Sequence, residues 1–206
     1  MNRRDAIGRV ALLMGGAVIG AEFFISGCKS GTAKVADLFA ADNVTLLNEV
    51  ADTILPTTSS PGAKAANVGH FMAVMVQDCY TTDDQKVFMD GISKLDDASQ
   101  KKFSNKFMAL TPQQRTELLT DLDKEQKEYT DKKNKDAAAD MEKHKDEKDY
   151  EPAPVPNHYF RMMKELTLLG YFTSEIGATK ALRYIAVPGH YDGDVPYKKG
   201  DRAWAT

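Results

Sequence analysis

The chain is poor in the residues from which most small functional sites are built. Its two cysteines, Cys28 and Cys79, lie far apart, so a disulfide framework, a Cys-x-x-Cys pair and a four-thiolate zinc site are all excluded. It contains no Cys-x-x-Cys-His for covalent haem attachment, no His-Glu-x-x-His for zinc and no Walker lysine pattern for phosphates. The only glycines that approach a dinucleotide fingerprint, Gly15-Gly16 and Gly20, fall in an N-terminal leader rather than between a strand and a helix. Positive charge is not in excess either: 27 Lys and Arg stand against 30 Asp and Glu, a formal charge of -3. That leaves no field for gripping a nucleic-acid backbone. What remains is 206 residues with 42% hydrophobic content, enough for one sizeable core and a solvated extension.

The first 27 residues read as an export address. Arg3, Arg4 and Arg9 stand against a single acid, Asp5, and an apolar stretch follows at residues 10–21. That stretch falls short of the roughly 20 residues a spanning helix needs, and Glu22 interrupts it. Removal is therefore expected rather than permanent insertion. Ile25-Ser26-Gly27-Cys28 resembles the bacterial lipobox, in which the cysteine is diacylated and becomes the mature N-terminus, each buried CH₂ then adding about 0.8 kcal/mol of membrane affinity. Arg3-Arg4 resembles a twin-arginine signal, which carries folded passengers. Ala6 stands where that motif has a bulky apolar residue, and ordinary secretory signals also begin basic, so both routes stay open.

Residues 28–41 are small and polar in their first part and read as a tether, with a single helical domain over residues 42–206. Val44, Leu47, Ala51, Ile54 and Leu55 recur at helical spacing until Pro56 stops the pattern. After a breaker-rich loop, Val68, Phe71, Met72, Met75, Val76 and Cys79 predict a second helix from about Ala65. Thr82 with Gln85 predicts a capping box for a third helix carrying Phe88, Ile92 and Leu95. Thr111-Pro112-Gln113-Gln114 is the clearest start signal, and Leu118, Leu119 and Leu122 give the fourth helix its buried side. Residues 121–151 hold 12 acids and 8 bases. Such a segment cannot pack a core and reads as an exposed helix with frayed ends, charge pairs such as Glu128 with Lys132 supporting it. Residues 152–156 form a stiff, proline-rich connector. From His158 the chain is apolar on more than one side, the mark of a central helix. The remainder is turn-rich and aromatic. The expected class is all-α: an irregular helical bundle with a charged exposed helical insertion and an irregular aromatic C-terminal tail.

Few residues invite chemistry. His190 with Asp192 and Asp194 sits in a glycine turn without the acid spacing of a calcium loop, and turn formation explains it. His70 lies among apolar helix residues and reads as a core histidine, His144 is lost in the charge run, and His158 is near a helix start. Cys79 closes an apolar stripe and reads as an inert buried thiol. Met72, Met75, Met162 and Met163 follow core spacing rather than suggesting copper or haem ligation. No nucleophile–base set can be assembled, so neither a metal nor a catalytic residue is assigned to this chain.

Several segments together resemble the gluconate 2-dehydrogenase subunit 3 family: Leu47-Asn48-Glu49-Val50-Ala51-Asp52-Thr53-Ile54-Leu55-Pro56, Pro61-Gly62-Ala63, residues 68–71, Leu110-Thr111-Pro112, Glu165-Leu166-Thr167, and Gly170-Tyr171-Phe172-Thr173-Ser174-Glu175-Ile176-Gly177. Arg183-Tyr184, Pro188-Gly189 and Arg202-Ala203-Trp204 continue the likeness. The resemblance implies a small, exported, non-catalytic subunit of a membrane-associated dehydrogenase. A large FAD-binding subunit would oxidise a sugar or polyol, and a c-type cytochrome subunit with haem c would carry the electrons away. It also implies that Arg3-Arg4 export the flavoprotein partner. The charge run and the lipobox depart from the family pattern, the second making the chain an anchor in the bacterial envelope on the periplasmic side.

On this reading no cofactor belongs to the chain itself, and its aromatic end carries the partner interface. Tyr171, Phe172, Arg183, Tyr184, Tyr191, Tyr197 and Trp204 are the candidate anchors, because large rigid side chains and arginine dominate binding energy. The alternative for these residues is that they fold back on their own chain. The alternative for the whole protein is a free-standing lipoprotein that binds a sugar or another envelope protein.

Overall fold

The computed structural model describes residues 35–187, 189–190 and 193–205. The export signal with Arg3 and Arg4, the lipobox with Cys28, and Tyr191 lie outside the described residues. Among the described residues five named segments form α-helices: α1 (Ala41–Ile54), α2 (Val68–Cys79), α3 (Thr82–Phe103), α4 (Pro112–Lys143) and α5 (Tyr159–Thr173). Short 3-10 turns stand at Asp37–Phe39, Ala63–Ala66 and Phe107–Ala109, and a wide π turn at Gly177–Ala181. Among the described residues there is no β-strand; the fold is an irregular all-α bundle.

The start signals act as their chemistry requires. At α4, Gln114 N–H donates to Thr111 Oγ1 at 3.3 Å and Thr111 N–H donates to Gln114 Oε1 at 3.0 Å, with Pro112 at the first helical position. At α3 the cap is Thr81 rather than Thr82, receiving Asp84 N–H. Gln85 is drawn elsewhere: its amide donates to the carbonyls of Val76, Gln77 and Tyr80, satisfying the open end of α2. The second helix starts at Val68, later than the apolar spacing predicts, because Asn67 takes a left-handed conformation (φ 51°) between the 3-10 turn and α2.

α5 is the central helix and packs on α1, α2, α3 and α4. Its buried side carries Tyr159, Phe160, Met162, Met163, Leu166, Thr167, Gly170 and Tyr171. Leu47, Val50, Met72, Val76, Phe88, Leu95, Phe107, Leu118 and Leu122 meet it in one continuous core. Each such side chain contributes about 1.5–3 kcal/mol by leaving water. Helices α1 and α2 approach so closely at Gly69 that a Cβ there would stand 2.5 Å from the Val44 carbonyl oxygen. Asn48 Oδ1 fastens the same point by accepting Gly69 N–H at 2.8 Å.

One polar cluster is set against the core. Glu49 on α1 pairs with Arg115 on α4 at 2.5 Å and with Lys64 in the turn before α2. Arg115 also donates to the Met108 carbonyl at 2.9 Å. The Lys64 hydrogen bond, followed by that of Arg115, outweighs the effect of burial and holds the Glu49 carboxyl below the usual carboxylate range.

The charge run extends α4. The last buried residue of that helix is Gln126, and the chain nonetheless remains helical to Lys143, about 25 Å further on. His144 then stacks on Tyr150 at 3.9 Å, and Tyr150 Oη donates to Asp140 at 2.5 Å, turning the chain back. The proline-rich connector returns along α4, where Tyr129 Oη donates to Pro156 O at 3.0 Å and Lys133 to Asn157 Oδ1 at 2.9 Å.

The incoming and outgoing chain meet at one end of this bundle. Leu38 is buried in the core and Phe39 sets its ring edge on His70, 5.8 Å between centroids. The neighbouring Phe71 lies against Gly170 near the end of α5. The first turn of α2 therefore touches both the segment that enters the domain and the helix from which the C-terminal tail departs.

Candidate functional site

The C-terminal quarter builds the surface that stands out. A proline at residue 156 keeps the connector out of helix, and His158 then caps α5 by accepting Phe160 N–H on Nδ1 at 3.2 Å. With one side of α5 locked into the core, Leu168, Leu169 and Phe172 are left in water on the other. Their spacing of one, three and four residues puts them in a single row. Glu165 and Glu175 flank this ridge and are exposed.

The helix ends at Ser174, whose hydroxyl donates to Tyr171 O at 2.6 Å and accepts Gly177 N–H at 3.0 Å. Only glycine fits at residue 177, since a Cβ would fall 1.9 Å from the Tyr171 carbonyl oxygen. This contact sends the chain through the π turn and into the tail. There Arg183 N–H donates to Ala203 O and Ala205 N–H donates to Arg183 O, both at 2.8 Å. The Arg183 guanidinium lies over the Trp204 ring at 4.4 Å, a cation–π contact. Arg202 donates to Lys180 O, and Asp201 accepts Lys198 N–H at 3.0 Å. The tail is thus a loop clasped at its neck. It presents Val187 (82% exposed), Tyr197 (75%), Tyr184 and Ile185 to solvent.

The seven aromatic and arginine residues singled out from sequence therefore separate. Tyr171 is a correction: at 3% exposure it belongs to the core, with its hydroxyl donating to Pro61 O at 2.5 Å, and it is no surface anchor. Phe172 joins the α5 ridge. Arg183 and Trp204 engage each other, so for this pair the tail does fold back on its own chain. Tyr184 and Tyr197 are displayed by the loop, and Tyr191 lies outside the described residues. Leu168 and Leu169 were not among the candidates, because an apolar residue on a central helix is taken for core unless the covering partner is known.

The remaining candidates resolve individually. His70 is exposed rather than buried, its ring on Phe39. Cys79 is likewise an exposed thiol, not a buried one, with Met75 Sδ 4.0 Å away. His70 lies on the outer face of the first turn of α2, whose Val68 and Gly69 are buried, and Cys79 stands in the last turn, beyond the last buried residue, Val76. Met72, Met162 and Met163 are buried in the core and Met75 packs against it. His190 is exposed and Asp192 lies outside the described residues. Among the described residues no group of three or more His, Cys, Asp or Glu side chains could hold a metal ion, and no helix is long and apolar enough to cross a membrane. A cleft of about 930 Å³ between α4 and the proline-rich connector is lined by Lys132, Lys133 and Lys143 together with Asp136 and Asp140. Its charges alternate and converge on no common point.

What the arrangement offers is grip: one apolar ridge on a rigid helix and one aromatic, basic loop. The family model described as gluconate 2-dehydrogenase subunit 3 matches residues 41–189, from the first residue of α1 into the tail. No curated protein and no solved structure gives a significant match.

Proposed function

Because the chain belongs to the gluconate 2-dehydrogenase subunit 3 family, we propose that it is the non-catalytic small subunit of a membrane-associated, FAD-dependent sugar or polyol dehydrogenase and serves export, assembly and anchoring of the flavoprotein subunit. Family membership assigns it to a multi-subunit gluconate 2-dehydrogenase-like complex; the division of labour is our reading. The observation that carries it is the ridge of Leu168, Leu169 and Phe172, an apolar row left open on the most firmly held helix of the molecule. A rigid row loses little entropy on docking, so its burial goes largely into affinity.

In this reading the large FAD-binding subunit covers the ridge, and a c-type cytochrome subunit receives the electrons. Arg3 and Arg4 lead the folded pair across the membrane. An acylated Cys28 then holds the complex on the periplasmic side of the envelope. The mechanism is positional: tethering redox partners raises their effective concentration, into the millimolar range for short linkers.

The test is purification of the tagged protein from membranes in mild detergent. A yellow, FAD-containing partner is expected to accompany it. Leu169→Asp combined with Phe172→Asp should weaken that association roughly tenfold or more, with helicity unchanged by circular dichroism because both residues already face water. Cys28→Ala should shift the pair to the soluble fraction. A colourless protein without companions, melting higher in the presence of a sugar, would instead establish the free-standing binder.

A further inference from the structure

The tail loop differs in chemistry from the α5 ridge. From residue 177 to the end the sequence holds five Lys and Arg against three Asp, whereas the whole chain carries 27 against 30. The loop is therefore net basic on a net acidic protein. Its exposed apolar side chains are Tyr184, Ile185, Val187, Val195, Tyr197 and Trp204, and the exposed Lys198 and Lys199 follow Tyr197 directly. Aromatic rings with a polar tip, aliphatic groups and long-stemmed cations are the set that suits the boundary between water and lipid.

Placement makes the same point independently. Cys28 stands seven residues before Val35, where the described chain begins, so a lipid on Cys28 would hold Val35 within about 25 Å of the bilayer at full extension. Residues 35–39 and the end of α5 meet on the first turn of α2, so the tail leaves from the end of the bundle nearest that lipid. The projecting half of α4 carries the mixed charge run instead.

We infer that the C-terminal loop is a second membrane contact, in which Tyr184, Ile185, Val187, Tyr197, Lys198 and Lys199 engage the headgroup layer of an anionic bilayer. This rests on the lipid-anchor reading for its placement. The depth is limited by backbone chemistry: an irregular loop cannot satisfy its peptide groups in hydrocarbon, and the contact stays at the level of headgroups and glycerol. The Arg183–Trp204 clasp holds the two ends of the loop together where they leave the bundle. The ridge, where Glu165 is paired with Arg161 at 2.7 Å and Leu168 lies beside Lys127 and Lys164 as well, carries mixed charge and no displayed aromatic–lysine set, and remains the protein-binding side.

Cys79 supplies the handle for a test, as the mature lipoprotein has no other free thiol. In a Cys79→Ser background, Val187→Cys is labelled with an environment-sensitive dye, and the purified full-length lipoprotein is reconstituted into vesicles. With phosphatidylethanolamine and phosphatidylglycerol the dye emission is expected to shift to the blue. With phosphatidylcholine alone the shift is lost. Lys198→Glu with Lys199→Glu should weaken the loop's engagement about tenfold or more. The same dye at Lys135→Cys, on the projecting part of α4, keeps its aqueous emission.

Aqueous emission from residue 187 on vesicle-bound protein would overturn the inference. So would a shift that appears only when flavoprotein is added, which would assign the loop to the protein interface. Mass spectrometry of residue 28 separates the two readings. An unacylated Cys28 removes the anchor; with Cys28→Ser then added so that residue 187 keeps the only thiol, the dye response to added phosphatidylglycerol vesicles still decides whether the loop engages lipid.

Discussion

His158 holds the start of the central helix through the one ring nitrogen that must stay unprotonated to do so. Nδ1 accepts Phe160 N–H, and Nε2 lies 3.6 Å from Glu125. Burial pushes the imidazole below its ordinary value, against the pull of the Glu125 carboxylate and with help from Lys94. A histidine whose folded value is depressed contributes stability in its neutral form. That contribution is complete above the unfolded value of 6.5 and is lost as pH falls through the lower folded value. The melting temperature should therefore fall between pH 7 and pH 5. His158→Asn, which caps with an uncharged oxygen, should flatten that part of the curve; an unchanged slope would remove the capping role. The sequence puts His158 at a helix start but cannot show which nitrogen faces the helix, since that depends on Glu125 from another helix. For His70 and Cys79 the failure has a different cause. Periodicity finds the stripe but not its limits: His70 falls on the outer face beside the buried Val68 and Gly69, and Cys79 lies past Val76, the last buried residue of α2.

Between elements, the join of α4 to α5 is electrostatic where the apolar stripe of α4 runs out. Asp123 accepts from Lys164 of α5 at 2.6 Å and from Gln126 at 3.1 Å, and pairs with Lys127 at 2.9 Å. Burial alone would raise its carboxyl, but the hydrogen bonds from Lys164, Lys127 and Gln126 lower it to about 2. Asp123→Asn should cost about 1–2 kcal/mol at pH 7, discounted for the partial exposure of Lys164. Because the folded value is depressed, the gap between variant and parent should close as pH falls below the unfolded value of 3.8 toward about 2. Urea unfolding at pH 7 and at pH 2–3 measures it. Helix starts with self-contained chemistry, such as Thr111 to Gln114, could be read from sequence without difficulty. The start of α3 could not, because Gln85 is claimed by the carbonyls ending α2, a contact that exists only once the two helices have turned on each other.

Taken as a whole, the molecule is uneven in how firmly it is held. No residue of α4 beyond Gln126 is buried, and the return through residues 144–156 touches the helix at a few polar points. Such a region opens locally at low free-energy cost. Trypsin should cut first between Lys132 and Lys148, the two fragments staying together on a gel-filtration column with their helicity largely retained. Early cleavage within α2 or α5 would contradict this. The all-α class and the central place of α5 follow from apolar spacing alone. The two surfaces of the candidate site do not: Leu168 and Leu169 look like core in a row of apolar residues. The partnership of Arg183 with Trp204 spans 21 positions of irregular chain that no periodicity connects.

The helix on which α1, α2, α3 and α4 all pack is the last of the five described, beginning only at Tyr159. A ribosome must therefore pass residue 159 before the apolar faces that α1, α2, α3 and α4 turn toward this helix are covered, although α1 and α2 already pack on each other. A product cut short ahead of that residue keeps α1 to α4 without the helix they share. Such a fragment leaves exposed the apolar faces that this one helix covers, so its docking marks the completion of the core.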